Sequence, residues 1–205
     1  MAEVENDAKD VRDVYERQAA VYDAQRSRSL FEARWLARFA ACLTRGGRVL
    51  DLGCGSGEPI ARWFTVEGFH VTGVDFAQNM LDIARSRWPD GDWRQADMRA
   101  LDLGEVFDGI IAWDSFFHLP PEDQRSTIAR MAAHLSPGGS LLMTVGPKAG
   151  EVFGAVGDEQ VYHASLSPAQ YATCLEENGL RLTGFLAEDP ETNRHSVLMA
   201  RKDED

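Results

Sequence analysis

Apolar side chains recur with a helical period near the start of the chain and in short strand-length runs after it. Between residues 7 and 26, Val11, Val14, Tyr15, Val21 and Tyr22 mark one face of a helix. A second stripe of Phe31, Trp35, Leu36 and Phe39 predicts a helix over 30–43, closed by Gly46-Gly47. Beyond it, strand patterns at 48–52, 70–74, 93–96, 107–113 and 139–145 alternate with helical ones at 59–67, 77–88 and 122–135. Pro59 is tolerated in a first helical turn, Pro89 stops the helix before it, and Pro120-Pro121 opens the next. Segment 146–160 is glycine-rich and reads as an irregular loop long enough to carry function. Ser167-Pro168 then opens a helix that ends at Asn178-Gly179, and 180–186 with 195–200 reads as a closing hairpin.

Strands alternating with helices imply an α/β fold: a doubly wound, mostly parallel sheet with helices on both faces. The 205 residues suit one such domain. It divides into an N-terminal helical cap (1–46), a core (47–146) and a final part (147–205) that supplies a loop, a helix and the terminal strands.

Charge changes the picture. With 21 basic and 33 acidic residues the formal net charge is −12, which repels phosphate backbones and removes the electrostatic footprint expected of a nucleic-acid binder. Arg26, Arg28 and Arg34 are interleaved with acids and apolar residues, as on a solvated helix face. Cys42, Cys54 and Cys174 are too scattered for a disulfide framework or a zinc site, so no metal is expected. The polar, acidic start is unlike a signal peptide, and no apolar run approaches the roughly 20 residues that span a bilayer. The expectation is a reduced, cytoplasmic protein, either monomer or homodimer.

The chemistry begins at Val49, where the chain reads VLDLGCGSG. An acid, Asp51, ends a strand, and Gly53, Gly55 and Gly57 alternate before a helix. Glycines so placed allow positive φ and close backbone approach to a ligand. The spacing is not GxGxxG, since Glu58 stands where the last glycine belongs, and no Gly-Lys-Ser/Thr follows as in a P-loop. Ligands of open α/β sheets lie beyond the carboxyl ends of the strands. There the second strand presents Asp75, 22 residues after Gly53, placed to accept both ribose hydroxyls. The third presents Asp97 and Met98, a polar and apolar pair suited to an adenine; the fourth presents IIAWDSFFHLP.

This ordered set resembles the class I S-adenosylmethionine-dependent methyltransferases over residues 48–146. The resemblance implies a seven-stranded sheet whose last strand is antiparallel. It implies that Asp51 with Gly53, Cys54, Gly55 and Gly57 holds the methionine and ribose parts of the cofactor. Asp75 would hold the ribose hydroxyls and Asp97 the adenine, with Phe76, Met80 and Met98 either adenine wall or core. Trp113 either lines the methionine pocket or is structural. The product would be S-adenosylhomocysteine.

Methyl transfer of this kind is an in-line displacement governed by alignment, and well-oriented reactants reach effective molarities of about 10⁵–10⁸ M. A dedicated base is optional, adding about 10²–10⁴-fold where a proton must leave. Asp114 and His118, after the fourth strand, are the catalytic candidates; His118 reads more readily as a packing or loop-anchoring residue than as a base. Tyr15 and Tyr22 fit a lid or core packing, and Phe117, Tyr162 and His163 are further candidates for touching the acceptor. His70, His134 and His195 read as structural. A small-molecule acceptor fits best: Asp114-Ser115-Phe116 lacks the prolines of nucleic-acid amino methylation, and no cysteine stands there for attack on a cytosine carbon. A nicotinamide oxidoreductase, or a binding module without turnover, are the alternatives. The first lacks both the third fingerprint glycine and a Tyr-x-x-x-Lys pair.

Overall fold

The computed structural model describes the backbone of residues 2–204 and the side chains of residues 11–204. Helices α1 (Ala2–Gln25) and α2 (Ala33–Ala40) precede an alternating series: β1 (Arg48–Leu52), α3 (Ile60–Val66), β2 (His70–Asp75), α4 (Gln78–Arg87), β3 (Asp92–Gln95), β4 (Phe107–Ala112), α5 (Pro121–Ala133) and β5 (Leu135–Val145). Then come β6 (Gly150–Val156), β7 (Glu159–Ser165), α6 (Pro168–Glu176), β8 (Leu180–Asp189) and β9 (His195–Lys202). Seven strands form one sheet in the order β3-β2-β1-β4-β5-β9-β8. Only β9 runs against its neighbours; it pairs antiparallel with both β5 and β8 and stands one place in from the edge.

The period of two along each strand builds two cores. Leu50, Leu52, Ile110, Ala112, Leu141 and Met143 face α5 and α6, packing with Ile128, Met131, Tyr171 and Leu175. Their sequence neighbours Val49, Ile111 and Leu142 face the other way, onto Trp35, Leu36, Phe39 and Phe64. Alternation on strands buried on both sides is therefore apolar throughout. Local signals agree with the ends observed. Pro59 is the residue before α3, Pro121 begins α5, and Ser167 with Gln170 forms a capping box at α6.

Segment 146–160 departs from the expected loop. Residues 150–156 and 159–165 pair antiparallel as a separate hairpin, turning at Gly157-Asp158 with Gly157 at φ +60°. A glycine followed by Asp between two β-compatible runs is a two-residue hairpin signal, masked here by the other glycines of the segment. Tyr162 and His163 consequently stand in β7 rather than after a loop. The hairpin packs on α1, where Val11 and Val14 meet Val156, Val161, Tyr162 and Ala164. Together α1 and the hairpin roof the carboxyl ends of β1, β2 and β4. Cys42, Cys54 and Cys174 are free thiols. No described helix is long and apolar enough to cross a membrane.

Candidate active site

The loop after β1 turns back on β2, and its conformation needs glycine. Gly53, Gly55 and Gly57 have φ of +82°, +54° and +79°. A Cβ on Gly53 would stand 2.2 Å from Cβ of Ser115, and one on Gly57 2.6 Å from the Trp93 ring. Around Gly55 only the Tyr22 ring comes within 4.0 Å, so the middle of the loop presents bare backbone toward that ring. The amides of Gly55 and Ala77 each donate to the Asp75 carboxylate at 2.8 Å. Burial, offset by those amide bonds, pushes Asp75 up to about 6. Asp51 is 3% exposed, and among the described residues no hydrogen bond reaches its carboxylate. Burial and the charge of Asp75 push it up to about 7. A buried acid without a hydrogen-bond partner is costly in a folded chain.

Asp97 caps a short 3₁₀ turn, accepting the Arg99 amide at 2.9 Å. Burial opposes its ionisation, but the Arg99 guanidinium outweighs it and holds the carboxyl below its usual range. Asp97, Met98, Phe76 and Ser115 line a cavity of about 200 Å³ beside β3. Beside the glycine loop lies a cleft of only about 30 Å³, bordered by Gly53, Gly55, Asp75, Met80 and Asp114 and by the rings of Tyr15 and Tyr22. Pockets for small ligands run to about 300–1,000 Å³. The residues present fit a nucleoside with a short polar tail, but only once α1 lifts its two tyrosines. Cys54 is buried against the loop with its thiol pushed well above its usual range by burial, and so is no nucleophile.

The segment after β4 brings Asp114 and His118 to the same place by different means. Ser115 donates to the Leu52 carbonyl at 2.7 Å, tying the segment to β1. Asp114 sits at φ +53°, its amide held by Thr144 Oγ1 at 2.8 Å. Strain at a non-glycine residue is characteristic of functional sites. Asp114 Oδ1 meets His195 Nε2 at 2.8 Å, while His195 Nδ1 meets the Thr192 carbonyl at 2.9 Å. Both partners are acceptors, an arrangement that favours the doubly protonated, charged ring. Burial opposes that charge, yet the Asp114 bond prevails and raises the imidazole above its ordinary value. Trp113 and Phe31 sandwich the ring at centroid distances of 5.7 and 5.4 Å.

His118 is the opposite case. Nδ1 donates to the Tyr162 carbonyl at 2.9 Å, leaving Nε2 to accept from the Tyr15 hydroxyl at 3.0 Å. Burial pushes it down to about 4, so it is a neutral anchor, already occupied on both sides. Tyr162 is 2% exposed and donates to Glu151. It belongs to the packing between α1 and the hairpin. His163 and Phe117, in contrast, face open space. A chamber of about 350 Å³ includes Tyr22, Arg26, Phe31, Asp114, Phe117 and His163 in its lining. A second, of about 500 Å³, adds Lys148, Glu151 and Arg194 and shares Phe117, His163, Asn193 and His195 with the first.

Two residues read otherwise in the sequence belong to this site. His195, read as structural, holds Asp114 from a strand 81 residues away. Arg26, read as part of a solvated face, has its side chain 10% exposed and paired with the buried Glu32, 4.0 Å from Asp114. Neither carries a local signal, because the contact is made only when β9 enters the sheet and the cap folds down. The other two arginines do lie at the surface, Arg28 pairing with Asp23 and Glu58 and Arg34 with Glu191. His134 is structural, bonded to Arg130 and Leu103.

A mostly parallel sheet with this strand order, a glycine loop after its first strand and acids after its next two define a nucleotide-binding α/β enzyme class. Similarity to known proteins makes the class specific. A methyltransferase-domain family model matches residues 49–139. A ubiquinone biosynthesis O-methyltransferase from Bordetella pertussis is 31% identical over 171 residues, 74% of this chain and 68% of that protein. The putative methyltransferase YqeM from Bacillus subtilis is 34% identical over 141 residues, of which the match spans 64% of this chain and 55% of that one. Among solved structures, the CcbJ methyltransferase from Streptomyces caelestis superposes with a TM-score of 0.74 at 21% identity, covering 93% of this chain and 98% of that one. An S-adenosylmethionine-bound amino pentose methyltransferase of calicheamicin biosynthesis from Micromonospora echinaspora gives 0.70 at 21% identity, covering 91% and 96%. The chain belongs to the class I S-adenosylmethionine-dependent methyltransferases. It is an enzyme, and S-adenosylmethionine is its cofactor.

Proposed function

We propose that this enzyme methylates a small molecule held in the two chambers beside Asp114. The observation that carries the reading is the position of Asp114, which borders both the cleft over the glycine loop and the 350 Å³ chamber. A donor on one side and an acceptor on the other thus meet across one residue. Bound cofactor supplies a methyl group on a positively charged sulfur. The chain's part is to bind, align and keep water out. Asp75 accepts the ribose hydroxyls, the Gly53–Gly57 amides approach the polar tail, and Asp97 with Met98 and Phe76 receives the adenine. Asp51 offers its unpartnered carboxylate beneath the loop. Asp114, fixed by His195 and Thr144, holds the acceptor side in register. Alignment of this kind supplies most of the rate without proton transfer.

Chambers of about 350 and 500 Å³ suit a metabolite, and the net charge of −12 disfavours a nucleic acid. The Bordetella relative is named for O-methylation, whereas a partly matching Streptomyces venezuelae relative is named for N,N-dimethylation of an amino sugar. The two differ in the attacked atom, so the acceptor is this chain's own. Incubation with methyl-labelled S-adenosylmethionine and hydroxylated and amino small-molecule panels tests the reading. Label transfer to a small molecule, lost in Asp75→Ala, supports it; transfer only to protein or nucleic acid overturns it.

A further inference from the structure

Three imidazoles surround the acceptor side, and hydrogen bonding fixes the state of two. His195 is held between two acceptors, Asp114 and the Thr192 carbonyl; His118 is neutral with its lone pair taken by Tyr15. The third, His163, receives no hydrogen bond from any described residue. Its half-buried ring lines both chambers, against Phe117 at 4.7 Å and His118 at 4.8 Å between centroids. Burial keeps it neutral despite the nearby Asp114 charge.

The strand beneath the ring is built to seat it. Gly154 of β6 lies one diagonal step from His163, whose direct partner is Val152. A Cβ at Gly154 would stand 2.5 Å from Cε1 and 3.0 Å from Nε2 of the imidazole. Glycine inside a strand weakens it and marks a close approach, here of a side chain lying flat on the backbone. Phe117, Phe31, Tyr22, Val156 and Val161 supply the apolar walls near the ring, and Arg26, Asp114, Asn193 and His195 line the same chamber. Aromatic walls suit a planar ring, and an imidazole with no hydrogen-bond partner beside them suits a hydroxyl that must lose its proton to react.

We infer that His163, seated on Gly154, is the general base for a phenol-like hydroxyl acceptor. The inference rests on the methyltransferase reading of the same site. The acceptor's O–H proton passes to the unprotonated ring nitrogen of His163. The freed oxygen pair forms the O–C bond to the donor methyl as the C–S bond breaks, its electrons remaining on sulfur as a thioether. The imidazolium then releases its proton to water. The charged or titratable groups around it are Asp114, His118, His195, Arg26, Tyr15 and Tyr22 on one side and Lys148, Glu151, Glu188 and Arg194 on the other.

The test combines labelling with turnover. At pH 7, diethylpyrocarbonate with mass-spectrometric mapping should modify His163 and spare His118 and His195. Gly154→Ala, which tilts the ring, should change the His163 rate several-fold. With catechol and aniline as matched probes, the parent should label catechol, and His163→Gln should lose about 10²–10⁴-fold in kcat. The lost rate should recover as pH approaches the ionisation of the phenol itself. S-adenosylhomocysteine affinity should be unchanged in both variants. An unreactive His163 beside a reactive His118 or His195 overturns the assignment, as does full catechol turnover by His163→Gln. Should neither probe accept methyl, the labelling decides. Failure of S-adenosylhomocysteine to bind the parent would instead sink the reading of the site.

Discussion

Asp51 is the residue at which the proposed function runs against stability. Its carboxyl is held near pH 7 by burial and by Asp75, against about 3.9 in an unfolded chain. The folded state therefore holds the proton more tightly, and stability falls as pH rises from about 4 to about 7. Asp51→Asn removes that cost. We expect thermal unfolding at pH 8 to show a gain of about 1–3 kcal/mol, the scale of an unsatisfied buried polar group, and little gain at pH 4. Cofactor affinity should fall in the same variant, and a gain in both properties would contradict a role for Asp51 in holding the cofactor. Asp75 differs because it also holds the Gly55 and Ala77 amides. Asp75→Ala should weaken S-adenosylhomocysteine binding by about 1.5–3 kcal/mol for each charge-assisted bond lost, measured by calorimetry on protein shown to be folded.

At the scale of elements, α1 is the part that the proposed cofactor site needs to open. The Tyr15 hydroxyl bond to His118 latches the helix over the glycine loop, leaving about 30 Å³ where a nucleotide belongs. Tyr15→Phe keeps the ring packing with Tyr22 and Phe76 but removes the latch. The unliganded protein should lose about 0.5–1.5 kcal/mol of stability. S-adenosylhomocysteine should then bind up to about tenfold tighter, since the closed state taxes binding. Weaker binding would mean that the hydroxyl touches the cofactor instead.

The elements were unequally legible. Strands β1 to β5 and their helices follow from apolar runs broken by glycine and proline, which are local causes. The β6–β7 hairpin was hidden because its strand Gly150–Val156 is mostly exposed and carries no apolar alternation. The same holds within the site. The loop glycines, Asp75 and Asp97 announce themselves by position after strands, whereas His195 and Arg26 become site residues only through contacts made across the finished fold. His118 is legible both as a residue of the site and as an anchor, but its partners, Tyr15 of α1 and Tyr162 of β7, are not, because they meet it only in the finished fold.

The whole molecule joins two halves across the end of β4. In the proposed reading residues 48–112 supply the donor side, and the cap, the hairpin and the β8–β9 turn supply the acceptor side, with Asp114 between them. On that reading acceptor choice belongs to the second half. Calorimetric titration with S-adenosylmethionine and S-adenosylhomocysteine, with the oxidised nicotinamide dinucleotide as control, tests this division most directly. Micromolar binding of both sulfur nucleotides, about −8 kcal/mol, with none of the dinucleotide, is the expected result. Binding of the dinucleotide, or of neither sulfur nucleotide by the folded protein, would contradict it.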